Sequence, residues 1–445
     1  MTARDPGRAA LLWTCAFLLL VATASGPAAA EAKAEAPATE GQPAWPVVRA
    51  IRFAGNRTTR EQTMLRELVI AVGDPADPKR IERSRQAIQD LALFLSVEVE
   101  QQPLDDGIAL LFRVRERWFV FPYPLVDINS DGDLTLGAQL RASNLFGLNH
   151  SARLTVARRT YDGRRRPDQL SVTGRYDAPL LRGSRWNGLL AAGHFERSVD
   201  GVDGASYGES VSYLEAQGLY SLNRHGLLSQ GWSLGGGLQL QRQAVDDDDG
   251  SAPPSYGLAT ALIGTANYRD IRFNLYSETG LAVSSRVEVA AEGIASAYDY
   301  QRLNTTLLRS WPLGATPHQT LEVQGTLGAY FGGAEGRIRN AYNIGGAQAL
   351  RGYGRDQAIG DFLYYGAIEY LRPVVWDALR LLVVAEAGSA WNSPSRRAGE
   401  PTYASIGIGL RLRVNVDVNL QFEIGVAMPV GDGGRGLRVF GGGNN

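Results

Sequence analysis

The side chains best placed to do chemistry are one arginine and two glutamates. Arg351 stands in the glycine-rich stretch 344–353, Ile-Gly-Gly-Ala-Gln-Ala-Leu-Arg-Gly-Tyr. What a guanidinium offers is grip, because it is always charged and presents a planar fork of donors that matches carboxylates. Gly345, Gly346 and Gly352 let the backbone around it fold tightly. Nothing nearby suggests bond-making. His150, His194, His225 and His318 are scattered without ligand spacing, and no Gly-x-Ser-x-Gly elbow is present. The four acids Asp246–Asp249 lack the spacing of a calcium loop and read as a solvated tip. No metal, cofactor or enzymatic step is expected.

The elements that must position Arg351 are strands. The interval 331–360 shows little strand pattern, long for an ordinary connection, and alternating segments flank it. Residues 404–428 alternate most clearly, with every even position apolar from Ala404 through Ile406, Ile408 and Leu410 to Met428. One strand of that length would span roughly 80 Å at about 3.3 Å per residue, so the segment must be a hairpin. Keeping the apolar set on even numbers requires an odd-length turn, near Asn415-Val416-Asp417.

The same reading gives sixteen strands between Trp118 and the end, a stretch without lysine. They cover 118–127, 133–143, 150–160, 168–178, 186–197, 207–221, 230–243 and 257–269. The rest are 280–291, 297–311, 318–330, 361–371, 379–391, 402–413, 418–429 and 435–443. An even number of half-apolar strands with aromatic residues near their ends fits an antiparallel transmembrane β-barrel. Short connections at 144–147, 181–183, 314–315 and 372–373 alternate with longer polar ones at 161–167, 199–204, 246–254, 331–360 and 392–401. That asymmetry separates periplasmic turns from extracellular loops and puts both chain ends on the periplasmic side. On the strand 379–391, Leu381, Val383, Ala385 and Ala387 form one face, so Glu386 points into the lumen, as does Glu369 on the preceding strand. A partly desolvated arginine requires such an acid.

Ahead of the barrel, residues 1–30 form a secretory signal peptide. Arg4 and Arg8 precede an apolar run from Leu11 to Val21, and Ala28-Ala29-Ala30 offers the cleavage site, with Ala24 as an alternative. The run is about eleven residues, too short for a spanning helix. It contains the only cysteine, Cys15, so the mature chain has no thiol chemistry. A net charge of −1 implies no nucleic-acid partner. Residues 31–46 read as a linker, and 47–117 as a small β-α-α-β-β domain: a strand at 47–53, a helix from Thr58 or Thr59 to about Val72, a second helix from Pro78, and strands at 97–101 and 108–115.

This small domain resembles a POTRA domain, through Ile51–Asn56 and the closing Val114-Arg115-Glu116-Arg117. Ile344-Gly345-Gly346 with Leu350-Arg351-Gly352-Tyr353 resembles the sixth-extracellular-loop motif of the BamA/TamA-type outer-membrane assembly superfamily. Tyr268-Arg269-Asp270 with Gly280 resembles that superfamily's Arg-Asp turn before the ninth strand. Glu386-Ala387-Gly388-Ser389-Ala390-Trp391 resembles its Asp-x-Gly-x-x-Trp strand, with glutamate in place of aspartate.

The resemblance implies a sixteen-stranded outer-membrane barrel (118–445) behind one periplasmic POTRA-like domain. It implies a lock of Arg351, Gly352 and Tyr353 in the lumen, closed by Glu386 or Glu369. Clients would add to an edge strand through Val97, Val99 and Gln101, and a seam near Tyr123 and Val439 would open sideways, weakened by Gly441–Gly443. Implied partners are the outer-membrane bilayer, unfolded or secreted polypeptides, and periplasmic or lipoprotein accessory proteins. Assisted insertion is the first reading. A dedicated two-partner-type secretion pore and a passive channel or structural barrel are the alternatives.

Overall fold

The computed structural model describes residues 45–128, 134–160, 168–200, 206–223, 230–246, 257–332, 342–346, 349–355, 357–392, 400–415 and 419–444. The expected signal peptide, most of the linker, Asp247–Asp249 and Val416-Asp417 lie outside the described residues. No described helix is long and apolar enough to cross a membrane, which leaves strands to do so.

The N-terminal domain begins with β1 (Val48–Ala54), α1 (Glu61–Leu65) and α2 (Pro78–Asp90). It closes with β2 (Phe94–Leu104) and β3 (Gly107–Glu116). Asp77 caps α2 by accepting from the Lys79 N–H, with Pro78 at the first turn. The sheet order is β1-β3-β2, with β1 parallel and β2 antiparallel to β3. Val48, Met64, Ile81, Ile88, Phe94, Leu110 and Phe112 fill the space between sheet and helices.

Two details of this domain differ from the sequence reading. α1 spans five residues and has Arg60, not a threonine, at its N-cap. Thr59 is engaged elsewhere: its N–H donates to Glu116 and its hydroxyl accepts from Asn144. β2 lies at the sheet edge, as expected, but Val97 and Val99 turn their side chains to the core. An incoming strand would meet the main chain there and not those side chains, and the Val97 carbonyl already accepts from Arg85 at 3.3 Å.

Sixteen strands form the second sheet. Its first eight are β4 (Val120–Ile128), β5 (Leu134–Leu145), β6 (His150–Thr160), β7 (Gln169–Ala178), β8 (Trp186–Asp200), β9 (Ser206–Ser221), β10 (Gly231–Asp246) and β11 (Leu258–Asn274). β12 (Ser277–Ala290), β13 (Tyr300–Pro312) and β14 (Thr320–Gly332) follow. After β14, the short pair β15 (Tyr342–Ile344) and β16 (Ala358–Gly360) forms a separate ladder within the long connection. β17 (Phe362–Pro373), β18 (Leu379–Trp391), β19 (Tyr403–Asn415), β20 (Asn419–Pro429) and β21 (Arg438–Asn444) complete the wall. β21 lies beside β4, so the barrel is nearly closed, but the hydrogen-bonded order ends at these two strands.

Leu136, Leu140, Leu190, Leu238, Leu262, Val383, Ile408 and Ile424 are all exposed. Such a belt would be insoluble in water, and a bilayer is the solvent that accepts it. Aromatic pairs mark its rims: Trp186 with Tyr220 at one end, Phe362 with Trp391 at the other. Asn415 pairs with Asn419, the odd-length turn that the alternation demands.

The Arg-Asp turn is absent from its expected place. Tyr268, Arg269 and Asp270 lie within β11, which runs on to Asn274 because buried Ile271 and Phe273 continue the alternation. Gly280 pairs with Ile271 on β12 and stands against the Asp270 carbonyl, so the two motif residues do meet, across a ladder. Arg372-Pro373 likewise ends β17 and does not form the turn after it.

The N-terminal domain is seated on the periplasmic turns. The Arg60 N–H and the Thr63 hydroxyl both donate to the Gly147 carbonyl, at 3.1 and 2.7 Å, and Arg60 Nε reaches the Phe146 carbonyl at 2.9 Å. Asn144 Nδ2 donates to the Thr59 hydroxyl at 2.8 Å. Gly147 has φ +71°, and a Cβ there would collide with the Thr58 carbonyl, so this contact requires glycine. On the other side, Asp90 at the end of α2 accepts from the Phe273 N–H at 2.9 Å and from Gln230 at 3.3 Å.

Candidate functional site

Alternation along four neighbouring strands places Glu369 (β17), Glu386 (β18), Ser405 and Arg411 (β19) and Glu423 (β20) on the inner face of the wall. All five are wholly or largely buried. Register brings them together: Glu386 is opposite Ser405, and Arg411 is opposite Glu423.

Arg351, 7 % exposed, meets this group. Its NH2 lies 2.6 Å from Glu369 Oε1, its NH1 3.1 Å from Glu386 Oε2, and its Nε 3.1 Å from Glu423 Oε1. All three guanidinium nitrogens thus face different carboxylates, and its main-chain N–H also donates to Glu386. The Phe440 ring of β21 sits 5.4 Å below the guanidinium carbon. Of the two acids proposed from sequence as partners, both are used, and Glu423 is a third.

Arg411 makes the site a network. It pairs with Glu369 Oε2 at 2.6 Å, Glu423 Oε2 at 2.7 Å and Glu322 Oε2 at 3.4 Å. Glu369 and Glu423 therefore each share their two oxygens between two arginines. Such a lattice satisfies buried charges that would be costly singly. Neither Arg411 nor Glu423 was singled out from sequence. Both stood on the polar side of the 404–428 alternation, but only the three-dimensional order of strands shows which loop they meet.

The neighbours of Arg351 are fastened as well. Gly352 donates through its N–H to Ser405 Oγ at 3.3 Å, and a Cβ on it would press on Ser405 and on the backbone at Met428-Pro429. Ser405 and Tyr365 donate to Glu386 at 2.8 and 2.9 Å. The Tyr353 hydroxyl donates to the Ala404 carbonyl at 3.1 Å, and its ring packs edge-on against Tyr403. Tyr342, Ile344, Leu350 and Tyr353 join Tyr298, Tyr300, Tyr330 and Tyr403 in one apolar cluster. Gly345 and Gly346, at φ +132° and +99°, turn the chain between β15 and this cluster.

A second charged group lies on other strands of the same inner face. Arg286 (β12) forks onto Glu215 (β9), with both contacts at 2.9 Å, and reaches Glu288 at 2.7 Å. It joins wall to wall and had not been singled out from sequence. Tyr123 points inward and is buried, whereas Val439 faces outward and is exposed. Among the described residues no cluster of His, Cys, Asp or Glu is suited to a metal.

Two of these parts, the small N-terminal sheet and the sixteen-stranded barrel, have counterparts in known proteins. Residues 46–117 match a POTRA domain described as a surface antigen variable number repeat. Among solved structures, BamA from Haemophilus ducreyi lacking POTRA domains 1-3 is similar over 90% of this chain and 85% of its own, with TM-score 0.56 at 16% identity. CdiB from Escherichia coli covers 90% and 76%, with TM-score 0.60 at 15% identity. CdiB from Acinetobacter baumannii covers 89% and 73%, with TM-score 0.59 at 13% identity. At these identities the likeness is one of fold, and no curated protein sequence matches. Residues 144–443 match the Omp85 superfamily domain, and over that span, well beyond half its length, the chain belongs to the Omp85 superfamily.

Proposed function

We propose that this protein assists the insertion or passage of polypeptides at the bacterial outer membrane, without a chemical step. It is an outer-membrane barrel with its N-terminal POTRA domain in the periplasm. A client adds as a strand to the open edge of β2, and the barrel seam or lumen hands it on. The loop carrying Arg351, Gly352 and Tyr353 is folded inward and braces the wall beside that route.

The observation that carries this reading is the seating of a single POTRA domain, its β2 edge unpaired, directly on the turns of an Omp85 barrel. Main-chain groups of β2 give affinity for any extended segment, and the outward Glu100 is already paired with Arg113 at 2.6 Å.

Site-specific photocrosslinking in intact cells tests it, with probes at Glu98 and Glu100 on β2 and at Val439 on β21. Crosslinks from both places to several nascent barrel proteins are the expected result. One dominant secreted product would make the protein a dedicated translocator. Silence at every probe, with the protein folded in the membrane, would leave a channel or structural barrel and end the proposal.

A further inference from the structure

Three arginines stand side by side on the early strands of the barrel. Arg141 (β5) is directly opposite Arg153 (β6), and Arg153 is directly opposite Arg175 (β7). Leu140, Leu154 and Leu170 of the same strands are exposed on the lipid-facing side, so by alternation the three arginines project into the lumen. Like charges facing each other across neighbouring strands repel. Elsewhere on the inner wall carboxylates offset such charges, as at Arg286, Arg351 and Arg411. In this row Asp177 forks onto Arg175 at 2.8 and 2.7 Å. Among the described residues, neither Arg141 nor Arg153 makes an ion pair or a side-chain hydrogen bond.

The positive charge continues toward the N-terminal domain. Arg117, in the link between β3 and β4, is buried, donates to the Phe94 carbonyl at 3.1 Å and lies 5.1 Å from the centre of the Phe273 ring. Burial and the charges of Arg413 and Arg141 push its pKa down to about 10, which leaves it a cation at neutral pH. Cations therefore run from the domain link across β5, β6 and β7.

We propose that this row is a binding track for carboxylates, and that its ligand is an acidic, extended polypeptide segment entering the lumen from the N-terminal domain. Guanidinium forks match carboxylates. Strands about 4.8 Å apart put the outer two arginines about 10 Å from each other, and same-face side chains of an extended chain recur about every 7 Å. The long arginine stems absorb that difference. Lipid headgroups do not compete, because the row faces away from the bilayer. The polypeptide nature of the ligand rests on the client-handling reading above, whereas the row of charges does not.

The full chain in lipid nanodiscs tests it, with a short fluorescent peptide carrying glutamate at alternate positions and a second with glutamine in their place. By anisotropy at low salt, the glutamate peptide should bind at least about tenfold tighter, and lose that advantage as salt is raised. Arg141→Gln/Arg153→Gln should weaken its binding by about tenfold or more. Arg141→Lys/Arg153→Lys, which keeps the charge without the fork, should fall in between. Because the charges oppose each other, the glutamine variant should leave the heat-resistance of the barrel unchanged or raised. Equal affinity for the two peptides, a glutamine variant that binds as the parent does, or one that fails to fold, would overturn the track. In cells, a photocrosslinking probe at Thr155, which shares the inner face and accepts from Gln139 at 3.1 Å, should capture polypeptides. Peptide binding that depends on the row, with nothing captured at Thr155, would overturn the client reading and leave the carboxylate site standing. Captures from β2, with peptide binding indifferent to the row, would do the reverse.

Discussion

The barrel wall is fastened at two places to parts of the chain that are not barrel strands, and the two fastenings differ in chemistry. At the loop, Arg351 enters a buried lattice with Arg411 and the carboxylates of Glu322, Glu369, Glu386 and Glu423. At the POTRA domain the contacts are separate hydrogen bonds, neutral ones as from Thr63 to Gly147 and from Gln86 to Phe273, and singly charged ones through Arg60, Arg66 and Asp90. A buried ionic lattice resists partial opening, because removing one member strands the others without water. Hydrogen bonds at a rim exchange with water at little net cost. The loop's fastening is the harder of the two to open, and the domain's the easier.

The largest effect is expected at Glu369. It is fully buried and contacts both Arg351 and Arg411 at 2.6 Å. Glu369→Gln leaves two buried cations short of an acid, in the range of about 3–5 kcal/mol known for breaking such pairs. The expected outcome is a marked drop in the temperature at which the folded barrel band is lost on gels, with new protease cleavage near Gly345–Arg355. A variant as heat-resistant and protease-resistant as the parent would show that the lattice is not what holds the loop.

An intermediate effect is expected at the first turn. Asn144 and Thr59 are both buried and joined at 2.8 Å. Thr59→Val removes the acceptor while leaving the turn residue Asn144, with its positive φ and its bond to the Asn149 N–H, in place, a loss of about 1–2 kcal/mol in docking. Crosslinking efficiency between cysteines placed on Gln62 and Arg182 should fall several-fold while barrel heat-resistance stays unchanged. If the barrel is destabilised as much as the docking, the contrast between the two fastenings collapses.

The same contrast explains what could be read from the sequence. The wall was legible because a bilayer on one side and a polar lumen on the other write a period of two into every strand. The spans 150–160 and 379–391 are found as expected. At the Arg-Asp motif the period outweighs the local signal: Ile271 and Phe273 carry β11 past Asp270. Glu369 and Glu386 were legible as charges on an inner face, and Arg351 as the cation of the glycine-rich stretch. Their companions Arg411 and Glu423 looked the same as any other polar inward residue, since pairing across a lumen depends on which strands the loop reaches. The POTRA seating left almost no trace, because its acceptors on the barrel side are mainly backbone carbonyls of Phe146, Gly147 and Phe273. The short α1 followed from the same contact, as Thr59 binds Asn144 and Glu116 where an isolated helix would have used it as a cap.

The smallest effect, and the one that most sharpens the idea of release, concerns Asp90. It is the acidic member of the rim contact, accepting from the Phe273 N–H and from Gln86 and Gln230. Burial raises its pKa, with Asp270 nearby adding to the rise, while those hydrogen bonds and the charge of Arg272 only partly oppose it. In an undocked domain the carboxyl would return toward its ordinary value of about 3.9. The docked form therefore holds the proton more tightly, so its advantage is fully present below the undocked pKa and is lost as pH rises through the docked one. Lowering the pH from neutrality toward the ordinary carboxyl range should tighten the seat, by less than about tenfold for one partly buried carboxyl. Spin labels at Arg83 and Ser184 would report it as growth of the short-distance population on acidification. Asp90→Asn, which keeps an acceptor for the Phe273 N–H and removes the charge, should be tighter at neutral pH and flat across the range. A parent protein whose distances ignore pH would show that Asp90 carries no part of the release, leaving it wholly to the hydrogen bonds at the first turn.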